Sequence, residues 1–310
     1  MNRDTASIFD KLKPYIPEDR LFRDEPMHRH TTFRVGGRAS LYVKAASADE
    51  LIQVINIAKS ANTDFFLIGN GSNLLVSDDG FDGIIIELGE AMSNITVNGS
   101  KLTCESGALL SRISSVAAKH ALEGLEFASG IPGTLGGGLA MNAGAYGGEL
   151  AMVVESVCAL DPTDMQIKTY KCSELDFGYR SSRIKSEGLI VISATLNLKA
   201  GDEEAIRGRI AEYSQRRRDK QPLEYPSAGS TFKRPEGQFA GALIEAAGLK
   251  GTKVGGAEVS VKHAGFVINK GDATAKDIYD LIGLVQKRVF DNSGFLLEPE
   301  VIMLGFDRIG

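Results

Sequence analysis

Three short polar segments carry the side chains best suited to chemistry. In GYRSSRIK, residues 178–185, Arg180 follows an aromatic residue and precedes two small hydroxyl residues, a setting that suits a guanidinium fork binding a carboxylate or a phosphate; a surface arginine in a mixed loop is the simpler alternative. In YPSAGSTFKRP, residues 225–235, small residues between two prolines predict a rigid turn that presents Ser230 to a pocket. In LLEPEVIML, Glu300 falls among apolar residues. Its carboxylate is either exposed at a strand edge, the reading that the pattern favours, or desolvated with a raised pKa.

The surroundings of Ser230 do not indicate nucleophilic hydrolysis. The pattern G-x-S-x-G is absent, and no histidine neighbours Ser230 in the sequence to act as its base. Lys220, Lys233 and Arg234 lie nearby and can bind an anion.

Two glycine-rich loops indicate where a phosphate or a flat cofactor binds. Nine of the 35 glycines lie between Gly124 and Gly148, where a missing Cβ lets backbone amides approach a ligand. Apolar residues alternate with these glycines, unlike the composition of a flexible linker. Upstream, the apolar run at residues 65–69 predicts a buried strand that leads into GNGSN, residues 69–73. Successive N–H groups in such a turn form an anion-binding nest, although a plain tight turn between strands explains this loop alone equally well.

Composition excludes several classes of protein. The 310 residues, 43% hydrophobic and 24% charged, predict a folded globular chain of about two domains. A net charge of −5 argues against a nucleic-acid surface. No apolar segment is long enough for a signal sequence or a membrane span, so we expect a cytoplasmic protein without a membrane partner. The three cysteines are widely spaced and have no clustered histidines, which supports neither a disulfide framework nor a metal site.

The residue pattern predicts helices and strands in an α+β arrangement. Ser47 and Glu50 form a capping box that opens a helix to about Ser60. Strands are predicted near 65–69, 84–88, 95–97, 102–105, 153–160, 189–198, 265–269 and 295–304, and further helices near 109–120, 204–218, 239–247 and 275–290. The pattern changes near Leu88 and near Gly201, where we place domain boundaries.

Seven segments in order resemble the UDP-N-acetylenolpyruvoylglucosamine reductase family, flavoenzymes of peptidoglycan precursor synthesis. They span almost the whole chain, and the compact run from Lys220 to Ser230 is similar to the branch of the family without an extra aromatic clamping loop. The chain departs from the family pattern at Ile302, where a basic residue is expected, and at Gly138, where alanine is expected. The matching segments are TTFRVGG (31–37), GNGSNLLV (69–76), GLEFASGIPGTLGG (124–137), MNAGAYG (141–147), GYRSS (178–182), PSAGSTFKRP (226–235) and PEV (299–301).

The resemblance implies a two-lobed, non-covalent FAD-binding fold of the vanillyl-alcohol-oxidase (PCMH) type, followed by a C-terminal α+β substrate domain. It assigns residues 1–88 and 89–205 to the two FAD-binding subdomains and residues 206–310 to the substrate domain. It places Arg180, Ser230 and Glu300 at the family's three catalytic positions. The implied cofactor-binding residues are Arg34, Gly69, Asn70, Gly71, Ser72, Asn73, Leu74, Gly130, Ile131, Gly133, Thr134, Gly136, Gly137, Asn142 and Gly144, and the implied substrate-binding residues are Tyr179, Lys220, Lys233, Arg234 and His263.

The resemblance also implies a reaction. NADPH donates the hydride, FAD carries it, and the vinyl β-carbon of UDP-N-acetylglucosamine enolpyruvate receives it to give UDP-N-acetylmuramate. Arg180, assisted by Glu300, stabilises charge on the substrate carboxylate, and Ser230 protonates the α-carbon.

Two other functions remain open at this point. Another FAD-dependent oxidase or dehydrogenase shares such a fold, because a fold alone does not fix a function. A flavin- or nucleotide-binding module without enzymatic activity is the other alternative, and the presence of all three candidate catalytic residues argues against it.

Overall fold

A computed structural model describes residues 3–306 and contains the following elements. The α-helices are α1 (Arg3–Leu12), α2 (Ala48–Ser60), α3 (Leu110–Lys119), α4 (Leu135–Ala140), α5 (Arg183–Ser186), α6 (Glu203–Lys220), α7 (Ala240–Ala246) and α8 (Ala275–Ser293). The strands are β1 (Leu21–Pro26), β2 (Arg38–Lys44), β3 (Phe65–Ile68), β4 (Leu74–Val76), β5 (Phe81–Glu87), β6 (Ile95–Asn98), β7 (Lys101–Glu105), β8 (Leu122–Glu123), β9 (Gly144–Ala145), β10 (Gly148–Glu149), β11 (Val154–Asp161), β12 (Gln166–Lys171), β13 (Ile190–Asn197), β14 (Lys199–Ala200), β15 (Lys253–Val254), β16 (Ala257–Val259), β17 (Val267–Asn269) and β18 (Ile302–Leu304). Among these described residues, no helix is long and apolar enough to cross a membrane.

The chain forms two compact units. The first takes in Met1–Phe22, Tyr42–Asn70 and Ile84–Arg216, and the second takes in Arg23–Leu41, Gly71–Gly83 and Arg217–Gly310, so far as these ranges are described. Strands β1, β2 and β5 therefore pass along the chain from one unit into the other. The division into residues 1–88, 89–205 and 206–310 stays a prediction.

An antiparallel sheet forms the core of the first unit. Its strand order is β12-β11-β13-β7-β6, and α3 buries Leu110, Ile113 and Ala117 in the same hydrophobic cluster as the sheet. In the same unit β3 pairs in parallel with β5, from Phe65 opposite Ile84 to Ile68 opposite Glu87. The core thus fixes the strand ends from which the glycine-rich loops leave.

The predicted capping box of α2 is confirmed in its serine half. The Ser47 hydroxyl accepts a hydrogen bond from the Glu50 amide at 3.1 Å, which satisfies one of the free N–H groups of the first turn. The Glu50 carboxylate binds the Arg20 guanidinium instead of the Ser47 amide, at 2.6 and 2.7 Å. The helix therefore begins and ends at the predicted residues because its local signals agree with its packing.

Helix α8 and a small antiparallel sheet, β15-β16-β17, form the core of the second unit. Thr274 and Asp277 form a capping box at the start of α8, and Gly294 ends the helix with a left-handed φ of +74°. The Asp78 carboxylate also accepts from the Ala275 and Lys276 amides, at 2.9 and 2.8 Å. In this unit β4 pairs in parallel with β18.

Three features differ from the sequence expectation. The strand expected over 295–304 is confined to β18, because Pro299 has no N–H for a ladder and the preceding residues make only isolated contacts, such as the bridge between Phe232 and Pro299. A short helix, α4, lies inside the segment expected to be a loop. Strands β1, β2 and β12 were among the elements not predicted, and charged residues lie within β1 and β12.

Candidate functional site

The first two residues of the upstream glycine-rich loop, Gly69 and Asn70, lie next to the downstream loop in the first unit. Strand β3 ends at Ile68, and the chain turns at Gly69 and Asn70. The Asn70 side-chain Nδ2 donates to the Pro132 carbonyl at 2.5 Å. A Cβ on Gly69 would lie 2.1 Å from the Thr134 hydroxyl oxygen, so only glycine allows this approach.

The second loop is held by backbone bonds to its neighbours. A turn of 3₁₀-helix, Glu126–Gly130, leads into it, and the Ile131 amide donates to Ala128. The Gly133 carbonyl accepts from the Leu110 amide at 3.0 Å, and the Gly136 amide donates to the Ser106 carbonyl at 2.8 Å. These backbone hydrogen bonds hold the loop in position.

Two cavities of about 340 Å³ each meet at Gly69 and Thr134. We call them the apolar cavity and the polar cavity after their linings, and both lie within the first unit. The apolar cavity is lined by Phe65, Phe66, Leu67, Ile68, Gly69, Leu88, Ser106, Thr134, Gly136, Gly137, Ala140, Ile184, Lys185, Gly188, Leu189, Ile190 and Val191. The polar cavity is lined by Gly69, Asn70, Glu87, Gly89, Glu90, Ser93, Gly107, Leu109, Arg112 and Thr134.

The lining of the apolar cavity fits a bound cofactor. The buried Ser106 hydroxyl has no hydrogen-bond partner among the residues that the structure describes, and a buried polar group without a partner requires an explanation such as a ligand. A Cβ on Gly137 would meet its nearest neighbour, the Thr134 hydroxyl oxygen, at an ordinary 3.7 Å. Protein packing therefore does not require glycine there, whereas a ligand in the cavity would.

The rest of the GNGSNLL segment lies in the second unit and is tied to the Glu300 segment. Gly71 has a φ of +56°, and a Cβ there would lie 1.9 Å from the His30 carbonyl oxygen. Ser72 completes the turn. The Asn73 side-chain Nδ2 donates to the Glu300 carbonyl at 3.0 Å, and Leu74 begins β4, which pairs with β18.

Several predicted site residues have strained backbones. Arg34, Asn142 and Arg180 have positive φ angles of 58°, 43° and 54°. Such conformations cost energy in residues other than glycine and concentrate at functional sites. The strain therefore supports a functional role for the segments that carry these residues.

Arg180 lies at the tip of a tight turn that the Asn142 segment holds. Gly178 and Ser181 form an isolated bridge across the turn. The buried Asn142 side chain donates to the Gly178 carbonyl at 3.2 Å and accepts from the Ala151 amide at 3.0 Å. Its side chain thus serves to position the arginine turn, a role that the sequence did not reveal.

The two residues at this tip contact each other. The Arg180 guanidinium carbon lies 5.2 Å from the centre of the Tyr179 ring, and Tyr179 is 54% exposed. Gly144, also predicted to bind the cofactor, begins β9 in the short hairpin that follows Asn142.

The structure brings Ser230 and Glu300 to adjacent positions in the second unit. The Glu300 amide donates to the Thr231 carbonyl at 2.8 Å, and the buried Thr231 hydroxyl accepts from the Val267 amide at 3.0 Å. Ser230 itself is exposed, between Gly229 and this anchored threonine. Ser230 and Glu300 are 70 positions apart in the sequence. They nevertheless belong to two segments that pair through their backbones.

The predicted cations occupy different surroundings. Lys220 ends α6 and is exposed. Lys233 forms an ion pair with Glu298, and the Arg234 guanidinium carbon lies 4.5 Å from the centre of the Phe239 ring. The sequence did not predict either of the last two contacts.

His263 makes a local structural contact. Its Nδ1 accepts from the Gly265 amide at 3.1 Å, and its ring packs edge-on against Phe266. Burial is the main cause that lowers the pKa of His263 below its ordinary value. The imidazole is therefore kept neutral near pH 7, and its role toward substrate stays a prediction.

The structure shows the surroundings of Gly138 and Ile302, the two departures from the family pattern. A Cβ on Gly138 would lie 3.0 Å from methyl carbons of both Leu110 and Leu150, so glycine suits the packing of this chain. The Ile302 side chain is 42% exposed at the start of β18.

The sequence missed part of the apolar cavity. Ser106 and the first residues of β13, Ile190 and Val191, line it together with Gly188. The sequence contained part of the information, because Gly188 comes just before the apolar run that forms β13. Nothing in the local sequence marked Ser106.

Family models match most of the chain. A FAD binding domain matches residues 39–170, and the C-terminal domain of UDP-N-acetylenolpyruvoylglucosamine reductase matches residues 221–304. The expected cofactor, FAD, is thereby confirmed for this chain.

Similar proteins agree with the family models. A UDP-N-acetylenolpyruvoylglucosamine reductase of Caldanaerobacter subterraneus is 48% identical over 96% of this chain and 98% of the relative, and one of Clostridium perfringens is 47% identical over 97% and 98%. The crystal structure of the reductase from Thermus caldophilus aligns with a TM-score of 0.79 and 36% identity over 92% of this chain and 98% of that one.

A more distant structure supports the fold alone. Phl p 4.0202, a glucose dehydrogenase, aligns with a TM-score of 0.50 and 15% identity over 64% of this chain and 44% of that one. The predicted α+β flavin fold with a C-terminal domain is confirmed. From the family models and the close relatives, we conclude that this chain is a flavin-dependent oxidoreductase and belongs to the UDP-N-acetylenolpyruvoylglucosamine reductase family.

Proposed function

We propose that this protein reduces UDP-N-acetylglucosamine enolpyruvate to UDP-N-acetylmuramate with NADPH, in the cytoplasm, for peptidoglycan precursor synthesis. The observation that carries the proposal is the backbone pairing of the Ser230 and Glu300 segments, in which the Glu300 amide donates to the Thr231 carbonyl at 2.8 Å. This pairing supports a site in which the Ser230 hydroxyl and the Glu300 carboxylate act on the same substrate. When bound, FAD would be the carrier that takes a hydride from NADPH and delivers it to the enolpyruvyl double bond.

The three candidate catalytic residues divide the remaining work. The Arg180 guanidinium binds the substrate carboxylate and stabilises the negative charge that develops there as the β-carbon gains hydride. Glu300 assists Arg180 at the substrate carboxylate. The Ser230 hydroxyl donates its proton to the α-carbon, and a proton from solvent restores the hydroxyl.

The cofactor and the nucleotide use separate groups. Gly69, Asn70 and the segment from Gly130 to Gly137 hold the cofactor. The residues of this set that line the two joined cavities support the assignment: Gly69, Asn70, Thr134, Gly136 and Gly137. Lys220 and Arg234 bind the substrate diphosphate, a role suited to exposed cations. Lys233 exchanges its Glu298 partner for the same anion.

The test is a complete reaction with purified protein. We expect one NADPH to be oxidised for each enolpyruvyl sugar consumed, and a product heavier than the substrate by two hydrogens. Exchange of NADPH for a hydride-labelled form should place the label on the β-carbon. Flavin that is reduced by NADPH yet never reoxidised by the enolpyruvyl sugar would contradict the proposed substrate.

A further inference from the structure

Helix α6 is attached to the first unit along one narrow stripe. The helix is mostly polar, and among its described residues Ile206 is the buried one. Arg209 and Tyr213 follow Ile206 at spacings of three and seven residues, so the three side chains share a face. A helix held mainly by core packing would bury a broader apolar face.

Arg209 reaches a buried carboxylate. Its Nε and Nη2 atoms donate to Glu126 Oε1 at 3.1 and 2.7 Å, and the other Glu126 oxygen accepts from the Gly124 amide at 2.9 Å. Glu126 is only 8% exposed. The Arg209 side chain is 38% exposed and also donates to Glu123 at 3.1 Å, so the buried half of the pair is the Glu126 carboxylate, and loss of Arg209 leaves that charge without its cation.

Tyr213 stacks on an unusual turn residue. The ring centres of Tyr146 and Tyr213 lie 4.5 Å apart, with planes only 7° from parallel. Tyr146 and Gly147 join β9 to β10 with φ angles of +53° and +85°, as in the type I′ turns that favour Asn or Gly at the first position. The left-handed conformation of a non-glycine residue is less populated by about five- to thirtyfold than its ordinary conformations. An aromatic stack raises that population again by about two- to twelvefold.

Both contacts end next to residues proposed to bind the cofactor. Glu126 begins the 3₁₀ turn that ends at Gly130, and Tyr146 lies two residues after Gly144. The turn and the hairpin also contact each other, since a Cβ on Gly148 would lie 2.5 Å from the ring of Phe127. One face of α6 thus holds two adjoining segments of the cofactor-binding region.

We propose that Arg209 and Tyr213 are positioning residues for FAD: through Glu126 and Tyr146 they hold the Gly130 and Gly144 segments in the geometry that binds the cofactor. The inference rests on the proposed cofactor-binding role of those two segments. It assigns to α6 a role in the binding of FAD, although neither side chain lines the apolar or the polar cavity.

The first test titrates apoprotein with FAD and follows flavin fluorescence and visible circular dichroism. Tyr213→Leu should weaken FAD binding by about threefold or more, within the range of an aromatic stack. Tyr213→Phe retains the ring and should bind FAD as the wild type does. Equal affinity of Tyr213→Leu and wild type would overturn the role of Tyr213.

The second test addresses the ion pair with a matched control on the same helix. Arg209→Met should weaken FAD binding by about tenfold or more, because it leaves the Glu126 carboxylate buried without its cation. Arg207→Met removes the exposed pair with Glu203 and should leave the affinity unchanged. Should Arg209→Met fail to fold, the Tyr213 pair of variants still decides the proposal.

A purely structural role makes a different prediction. It would lower the unfolding midpoint of the apoprotein while the dissociation constant of FAD stayed constant, and that result would overturn the proposal. Failure of the proposed reaction is a separate outcome, because FAD affinity is measured without NADPH or the enolpyruvyl sugar.

Discussion

Gly137 offers a clean test of the cofactor-binding loop. It lies within α4, is exposed, and lines the apolar cavity. An added Cβ would find its nearest neighbour at 3.7 Å, so the fold accepts alanine. Because glycine inside a helix is less favourable than alanine, Gly137→Ala should raise the free energy of unfolding of the apoprotein by about 0.5–1 kcal/mol.

The same methyl group should weaken FAD binding. If the cofactor occupies the apolar cavity, the added Cβ takes up space that the ligand needs. Overpacking by one methyl group costs about 1–3 kcal/mol, which corresponds to roughly a five- to 150-fold rise in the dissociation constant. Gly137→Ala should therefore be a more stable protein that binds its cofactor less tightly.

The assay pairs urea unfolding of apoprotein with FAD titration by flavin fluorescence. Gly208→Ala is the matched control, since Gly208 lies within α6 and a Cβ there meets nothing within 4 Å. It should gain similar stability and keep the wild-type affinity. A Gly137→Ala protein that binds FAD as tightly as wild type would refute the assignment of this loop and cavity to the cofactor.

The remaining predictions concern stability and thiol chemistry. Burial raises the pKa of Cys104 to about 12, so a thiol reagent at pH 8 should modify it only on unfolding; rapid labelling of Cys104 in native protein would contradict this. Asp78→Ala should lower the free energy of unfolding by about 0.5–2 kcal/mol, because it removes the acceptor for two amides at the start of α8; an unchanged urea midpoint would count against the cap. The Arg20 hydrogen bond lowers the pKa of Glu50, so the pair stabilises the fold above the ordinary glutamate pKa and the contribution disappears as the pH falls through the lowered value. Arg20→Met should therefore be destabilised at pH 7 and approach wild type in urea unfolding as the pH falls below the lowered pKa of Glu50, and a deficit that is constant with pH would exclude this cause.

Local signals predicted the elements that rely on local interactions. The Ser47 cap gave the start of α2, and the apolar run after residue 64 gave β3 and the turn at Gly69. The sequence also predicted a binding loop between Gly124 and Gly148, because a high density of glycines lets backbone amides come close to a ligand.

Local sequence patterns did not predict the long-range contacts. Glycine at Gly69 and Gly71 is required by close contacts with Thr134 and His30, so the sequence alone could not distinguish a packing requirement from a binding loop. For the same reason a bulky residue at Gly71 would disrupt the fold and test nothing about the cofactor. The adjacency of Ser230 and Glu300 depends on pairing between distant segments, which the resemblance implied but no local pattern specified.

The central claim is that Ser230 delivers the proton that completes reduction of the enolpyruvyl group. Stopped-flow absorbance of the flavin separates the two half-reactions of Ser230→Ala in two mixings. With NADPH, the flavin should bleach at nearly the wild-type rate, because no proton donor at the substrate carbon is needed. With the enolpyruvyl sugar, reoxidation should slow by about a hundred- to ten-thousandfold, the contribution of a positioned general acid. Unimpaired reoxidation, or slowing confined to the bleaching by NADPH, would contradict the account.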